Sequence, residues 1–215
     1  MAAVKKKTHE TRRARNALKT RRRIGQAAQD LFITQGFART TIIEIADQAD
    51  VAVQTVYAVF GNKRSILKEV VDVAIAGDDQ PLAVAERDSF EEIFAAEEPL
   101  AMLQRFTGLA TDLFSRTAEV FEMAYTAASS DEAIAEMARQ GDRGRLENMK
   151  EIADGLARKG FLRDGVTTSY ATDVMWSLVS PGMYRMLVVG RGWSPQQYRK
   201  WLLKTLMSSF VKSEN

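Results

Sequence analysis

Residues 40–63 read TTIIEIADQADVAVQTVYAVFGNK, and this stretch decides the fold. Thr41 followed three residues later by Glu44 is a capping box, in which a hydroxyl and a carboxylate each satisfy an amide that a helix start leaves without a partner. Ile42, Ile45, Ala46 and Ala49 then recur at the spacing of one buried helical face. Asp50-Val51-Ala52 has room only for a tight turn, and Val53 to Phe60 reads as a second short helix with Val56 and Phe60 one turn apart. Gly61 breaks that helix, and Asn62 can cap the next one, whose buried face is Ile66, Leu67, Val70, Val71, Ala74 and Ile75 and which runs to Gly77. Two short helices joined by three residues make a helix-turn-helix layout. Small Ala46 and Ala49 let the pair approach closely, Val51 can plug the turn, and the opening residues of the second helix are left to enter a major groove.

Upstream, Ile24, Ala27, Ala28, Leu31 and Phe32 form one buried stripe, ended by Gly36 as a left-handed cap. Before them the chain is strongly basic. Lys5, Lys6, Lys7, Arg12, Arg13, Arg15, Lys19, Arg21, Arg22 and Arg23 stand against Glu10 alone, a net +9 over residues 1–23. Residues 24–68 are balanced and the remainder carries −7, so the overall +2 conceals a charge separation. A basic arm on a neutral small domain and an acidic body is an electrostatic footprint for a phosphate backbone.

Composition narrows the alternatives. At 215 residues, 46% hydrophobic and 27% charged, the chain can bury a real core and divides into one compact body with a small appendage. Zero cysteines removes disulfides, thiolate metal sites and cysteine nucleophiles, and the single histidine, His9, lies in the charged tail. No stretch approaches the roughly 18 to 20 apolar residues needed to span a bilayer. The basic start has no apolar segment of a secretory signal, and the first serine is Ser65, so the expected location is the cytoplasm, with no membrane partner.

The helix-turn-helix residues resemble the TetR family of bacterial transcription regulators. The pattern is carried by Thr40-Thr41, Glu44-Ile45-Ala46, Ala49-Asp50-Val51, Thr55-Val56-Tyr57, Phe60, and Asn62-Lys63 followed by Leu67, covering roughly residues 20–75 without a gap. Two positions depart from it: Ala52 where a serine often caps the recognition helix, and Val59 where an aromatic or histidine often precedes the Phe. The first should cost roughly 1 kcal/mol at the helix start, and the second puts one customary phosphate contact in doubt. The resemblance implies phosphate contacts from Thr41, Tyr57 and Lys63. It implies base reading by Val53, Gln54 and Thr55, with Gln54 suited to adenine and Val53 or Thr55 to a thymine methyl. The arm supplies Arg12, Arg13, Arg15, Lys19, Arg21, Arg22 and Arg23, unranked, for an adjacent groove.

Beyond the linker Asp78-Asp79-Gln80-Pro81, helix-start signals at Ser89 with Glu92, Pro99, and Ser129 with Glu132 announce about five more helices. Leu100, Leu103, Phe106, Ala110, Leu113 and Phe114 make one stripe, and Val120, Phe121, Ala124 and Tyr125 another. The last helix opens with Ser194 as cap, Pro195 in its first turn and Gln197 closing the box, with Trp193 and Tyr198 placed as a hydrophobic staple. It and the helix before it, about Thr168 to Val189, are apolar on more than one side. A partner helix would cover the surplus, and the resemblance implies a dimer there. The expected interface residues are Met175, Leu178, Met186, Tyr198, Trp201, Leu202, Leu203, Leu206, Met207 and Phe210, with Val211 extending the stripe of Leu203 and Met207. Pro181 should kink the penultimate helix, and Phe106, Phe114, Met123, Trp176, Met183 and Tyr184 are the candidate lining of a small-molecule pocket.

The expected protein is therefore all-α with about nine helices. A basic, flexible arm (1–19) precedes a three-helix helix-turn-helix domain with its fourth helix (20–77) and a larger helical ligand-binding and dimerisation domain (78–215). By resemblance it is a non-enzymatic DNA-binding regulator. It represses as a homodimer on a palindromic double-stranded operator and is released by an unidentified small-molecule effector, with no metal and no other cofactor. Activation is the alternative within the family. An all-helical enzyme would need a metal or nucleophile constellation that one tail histidine and no cysteine cannot supply. An adaptor would be indifferent to loss of Gln54, Tyr57 and Lys63.

Overall fold

The computed structural model describes residues 12–77 and 88–212, and the chain separates into two compact units, Met1–Val70 and Val71–Asn215. Lys5, Lys6, Lys7 and His9, and the expected linker at 78–81, lie outside the described residues. Among the described residues the structure is helical without strands, apart from one isolated antiparallel bridge between Leu162 and Val211. None of the described helices is long and apolar enough to cross a membrane.

The first unit begins with α1, Arg12–Gln35, followed by α2, Ile42–Gln48, α3, Val53–Phe60, and the start of α4, Lys63–Ala76. Ile24, Ala27, Ala28 and Phe32 of α1, Ile45 and Ala46 of α2, Val56 and Phe60 of α3, and Ile66 and Leu67 of α4 are all buried and supply the core of this unit. Removing each large side chain among them from water is worth about 1.5 to 3 kcal/mol. Punctuation follows the local signals. Gly36 takes φ +85° after α1, Thr41 and Glu44 form the full capping box, and Ser65 N–H donates to Asn62 Oδ1 at 3.0 Å. Asp50, at φ +49°, turns the chain between α2 and α3, and Val51 N–H donates to Ala46 O at 3.0 Å. Ala52 caps α3 with no side-chain bond, as its methyl requires. One boundary differs from expectation. Residues 12–19 are not an arm but the first two turns of α1, because Arg, Ala, Leu and Lys are strong helix formers and nothing between Arg12 and Ile24 breaks a helix.

The second unit holds the end of α4, α5 (Asp88–Phe94), α6 (Pro99–Ala128), α7 (Glu132–Arg158), α8 (Thr168–Leu178), α9 (Pro181–Tyr184) and α10 (Pro195–Phe210). Its core joins Met102, Leu103, Phe106 and Phe114 of α6 to Ile152 and Leu156 of α7, Met175 of α8, and Tyr198, Leu202, Leu206 and Phe210 of α10. Several expected details change. Ser89 lies inside α5, and α7 is capped by Asp131, whose carboxylate accepts from Ala133 and Ile134 N–H, so Ser129 is not its cap. Pro181 does not kink a continuous helix. α8 stops at Val179, Ser180 caps a new start, and Pro181 takes the first position, where its missing amide costs nothing. A π-helical turn, Arg185–Val189, continues α9. The capping box of α10 forms as expected, but Trp193 meets Trp201 edge-on at 6.1 Å rather than stapling to Tyr198, whose ring sits 5.0 Å from Tyr184. Val211 is buried, and its bridge to Leu162 replaces the wet position expected for it.

Candidate nucleic-acid interface and cavity

The outward side of α3 carries the reading positions. Val56 and Phe60 turn inward, so Gln54 and Tyr57 are exposed and Val53 and Thr55 stand half-buried at the edges of that face. Tyr57 is 52% exposed, which leaves its ring and hydroxyl presented outward rather than packed in the core. Arg12, Arg15, Lys19 and Arg22 are all exposed on α1. Their spacing of i, i+3, i+7 and i+10 puts them on one stripe, a rigid row of positive charge. Arg13 lies on the same helix.

Other basic residues are spent inside the unit. Arg21 Nε and Nη2 donate to the two oxygens of Glu69 at 2.5 and 2.8 Å, with the guanidinium 4.6 Å over the Phe60 ring, tying α1 to α3 and α4. Arg23 donates to Ala49 O at 2.5 Å, Asp50 O at 2.9 Å and Asp50 Oδ2 at 3.0 Å, bracing the turn that aims α3. Lys63 is also engaged. Its ammonium donates to Phe37 O and Thr40 O, both at 2.7 Å, and stands 4.4 Å over the Phe37 ring. The Thr41 hydroxyl donates to Glu44 Oε2 at 2.8 Å and accepts from Glu44 N–H at 3.2 Å. The Thr41 amide and hydroxyl hold the Glu44 carboxyl below its ordinary value, so a carboxylate already occupies the start of α2 where a phosphate contact is expected. Thr41 and Lys63, expected at phosphates, thus both make bonds within the unit, with which a phosphate would compete. The charge count missed this because carbonyl partners are invisible to it.

The second unit contains a cavity of about 410 Å³. Val71 and Ile75 from the end of α4, Leu113, Phe114, Phe121, Ala124 and Tyr125 from α6, Met137, Ala138, Gly141, Asp142, Gly144, Arg145, Glu147 and Asn148 from α7, and Pro181 line it. Of the six residues expected to line a pocket, Phe114 does so. Phe106 sits eight residues nearer the start of α6, about 12 Å along the axis, and is buried in the core. Met123, nine residues after Phe114, points to the opposite side of α6. Tyr184 packs against Phe114 and Tyr198 in the core, with rings 6.1 and 5.0 Å away, while half-buried Met183 packs against that core. Trp176 lies under the guanidinium of Arg145 at 4.5 Å.

The polar side of the cavity is a short chain of contacts. Tyr125 OH donates to Asp142 Oδ1 at 3.0 Å, and Arg145 Nη2 stands 3.6 Å from the same oxygen. Arg145 Nη1 donates to Trp176 O at 2.5 Å and Val179 O at 3.2 Å, capping the end of α8. Burial, then the neighbouring Asp142 charge, pushes the Tyr125 phenol up to about 12, and burial lowers the Arg145 guanidinium. Sequence reasoning placed Tyr125 in a core stripe and passed over Asp142 and Arg145, which sit on a helix crowded with charge. The available signal was the closely spaced pair Gly141 and Gly144 in the middle of a helix rich in strong helix formers.

The expected dimer residues divide in two. Met175, Tyr198, Leu202, Leu206 and Phe210 are fully buried within the unit, so they are core and not interface. Leu178, Trp201, Leu203 and Met207 are half-buried, and Met186 is exposed, as are Val189, Trp176 and Tyr170.

Comparison with known proteins agrees with this geometry. The family model for the bacterial regulatory proteins of the tetR family matches residues 24–70. The HTH-type transcriptional regulator TtgR of Pseudomonas putida is 27% identical over 176 residues, 80% of this chain and 82% of TtgR. NalD, the secondary repressor of the MexAB-OprM multidrug efflux pump in Pseudomonas aeruginosa, has the same fold, with a TM-score of 0.70 at 20% identity over 93% of this chain and 100% of NalD. SmeT, the repressor of the Stenotrophomonas maltophilia efflux pump SmeDEF, superposes in its complex with triclosan at a TM-score of 0.67 and 20% identity, over 90% and 92% of the two chains. Residues 24–70 thus match the family model of the bacterial regulatory proteins of the tetR family, and over most of its length the chain is similar to HTH-type transcriptional regulators and shares their helical fold.

Proposed function

We propose that this regulator represses transcription by binding a palindromic operator as a homodimer, and that a small molecule entering the cavity of the second unit releases it. The observation that carries this reading is the composition of α4. Its first half, Lys63–Val70, belongs to the unit that bears the recognition helix, and Val71 and Ile75 of the same helix line the cavity. A ligand that displaces Val71 and Ile75 therefore acts on a helix whose first half belongs to the DNA-binding unit, a physical route for differential affinity between two states. Support for the dimer comes from apolar surface. Trp176, Met186 and Val189 are exposed and Leu203 and Met207 half-buried, apolar side chains that helices of a second copy would cover. One recognition helix touches only a few bases, whereas two held about 34 Å apart add their energies over a two-fold site.

Selection of bound duplexes from a random pool tests the reading, followed by salt titration of the winner and a scrambled control and by sedimentation of the protein with and without duplex. An enriched palindrome bound by two chains, about 10³-fold tighter than the control, is the expected result. Equal, salt-sensitive binding to both duplexes would refute it and leave only the basic stripe of α1 in play.

A further inference from the structure

The cavity floor is bare where a helix has no reason to be. Gly141 and Gly144 lie in the interior of the 27-residue α7, and a Cβ on either would meet nothing within 4 Å. Glycine in a helix interior is destabilising relative to alanine, and at these positions no turn, close packing or positive φ requires it. What the two glycines do is keep side chains out of the cavity, so that a bound molecule can lie against the backbone of α7 with the rings of Phe114 and Phe121 across from it.

The charges of the wall indicate what kind of molecule. Asp142, Arg145 and Glu147 are its ionised groups, two carboxylates against one guanidinium. Arg145 has little to offer a ligand. Nη1 is taken by Trp176 O and Val179 O, Nη2 faces Asp142, the plane of the group covers Trp176, and Nε, which has no partner among the described residues, is buried out of a ligand's reach. The carboxylates, by contrast, keep acceptor capacity. Both contacts of Asp142 among the described residues fall on Oδ1, which leaves Oδ2 open, and Glu147 is exposed. The site therefore presents aromatic faces and negative oxygens, the combination that holds a desolvated cation.

We infer that the effector is an organic cation, an ammonium or amidinium on a flat apolar body, with its charge beside Asp142 and its body between the glycine floor and Phe114 and Phe121. This rests on the reading of the cavity as the effector site. Three compounds with one body and different heads separate the possibilities: biphenyl-4-methanamine, biphenyl-4-methanol and biphenyl-4-carboxylate. Each is titrated calorimetrically into the full chain and then into the chain bound to its selected operator. The amine should bind at least tenfold more tightly than the alcohol or the carboxylate. Asp142→Asn should erase most of that preference, and Glu147→Gln, at an exposed position where folding is not at stake, should reduce it several-fold. A carboxylate or alcohol that matches the amine, or no binding by any of the three, overturns the inference. Operator release separates it from the reading beneath it. A carboxylate that binds better and releases DNA refutes the cation while upholding the cavity as effector site. An amine that binds with Asp142-dependent preference but leaves operator affinity unchanged upholds the cation and refutes the effector role.

Discussion

Replacing Gly141 and Gly144 by alanine should make the protein more stable and a worse receptor. Each glycine sits at a helical position where the added methyl meets nothing within 4 Å, so no steric cost offsets the gain in helix propensity. That gain is about 1 kcal/mol per site, and because helix propensity is a per-residue backbone effect the pair should approach about 2 kcal/mol. For a chain of this size 1 kcal/mol moves the midpoint by about 2 to 4 °C, so the double variant should melt about 4 to 8 °C higher by circular dichroism. The same methyls intrude on the space kept clear above α7, and affinity for biphenyl-4-methanamine should fall while operator affinity without ligand stays put. A lower melting temperature in either single variant would refute the reasoning, since it would mean that Gly141 or Gly144 is needed for folding and is not an opening held at the expense of stability.

Four further outcomes test the DNA-binding unit. Lys63→Met should lower stability by about 1 to 3 kcal/mol through loss of its bonds to Phe37 O and Thr40 O, yet leave the slope of log affinity against log salt unchanged; a slope smaller by about 0.9 per bound chain would make Lys63 a phosphate contact. Neutralising Arg12, Arg15, Lys19 and Arg22 together to glutamine should reduce that slope by about 3 to 4 per bound chain on operator and scrambled duplex alike, as measured by fluorescence anisotropy; a loss confined to the operator would make the stripe a sequence reader. Gln54→Ala should relax preference at one base pair per half-site by about 1 to 3 kcal/mol in a repeated selection, with no change in melting temperature. Glu44→Gln should destabilise the chain near neutral pH and progressively less in acid. The Glu44 carboxyl is held below its ordinary value of 4.5 in the fold, so its contribution is present above that pH and is lost as pH falls through the lower folded value. A wild-type advantage that persisted unchanged well below pH 4.5 would show that Glu44 acts through packing and not through charge.

The features read correctly from the sequence are those whose physics is local. The Thr41 and Glu44 box, the Gly36 stop, the Asn62 cap and the Ser194 and Gln197 box each involve residues a few positions apart, and each forms as read. The misreadings share the opposite property. α10 carries two apolar stripes, and the sequence does not say which one faces inward; Tyr198, Leu202, Leu206 and Phe210 fill the core, which moves the surplus to Trp201, Leu203 and Met207. The cavity depends on which arc of α6 meets which arc of α7, so Phe114 lines it and Met123, with the same apolar character, cannot. Charge misleads in the same way. The basic run up to Arg23 reads as one arm, yet Arg21 and Arg23 are consumed by Glu69 and by the carbonyls of the helix-turn-helix turn, and Arg12, Arg15, Lys19 and Arg22 are exposed in order along one side of α1. A cation that braces the turn aiming the recognition helix governs DNA binding through geometry and one on the open stripe governs it through counterions, and salt dependence tells the two apart where counting charges does not.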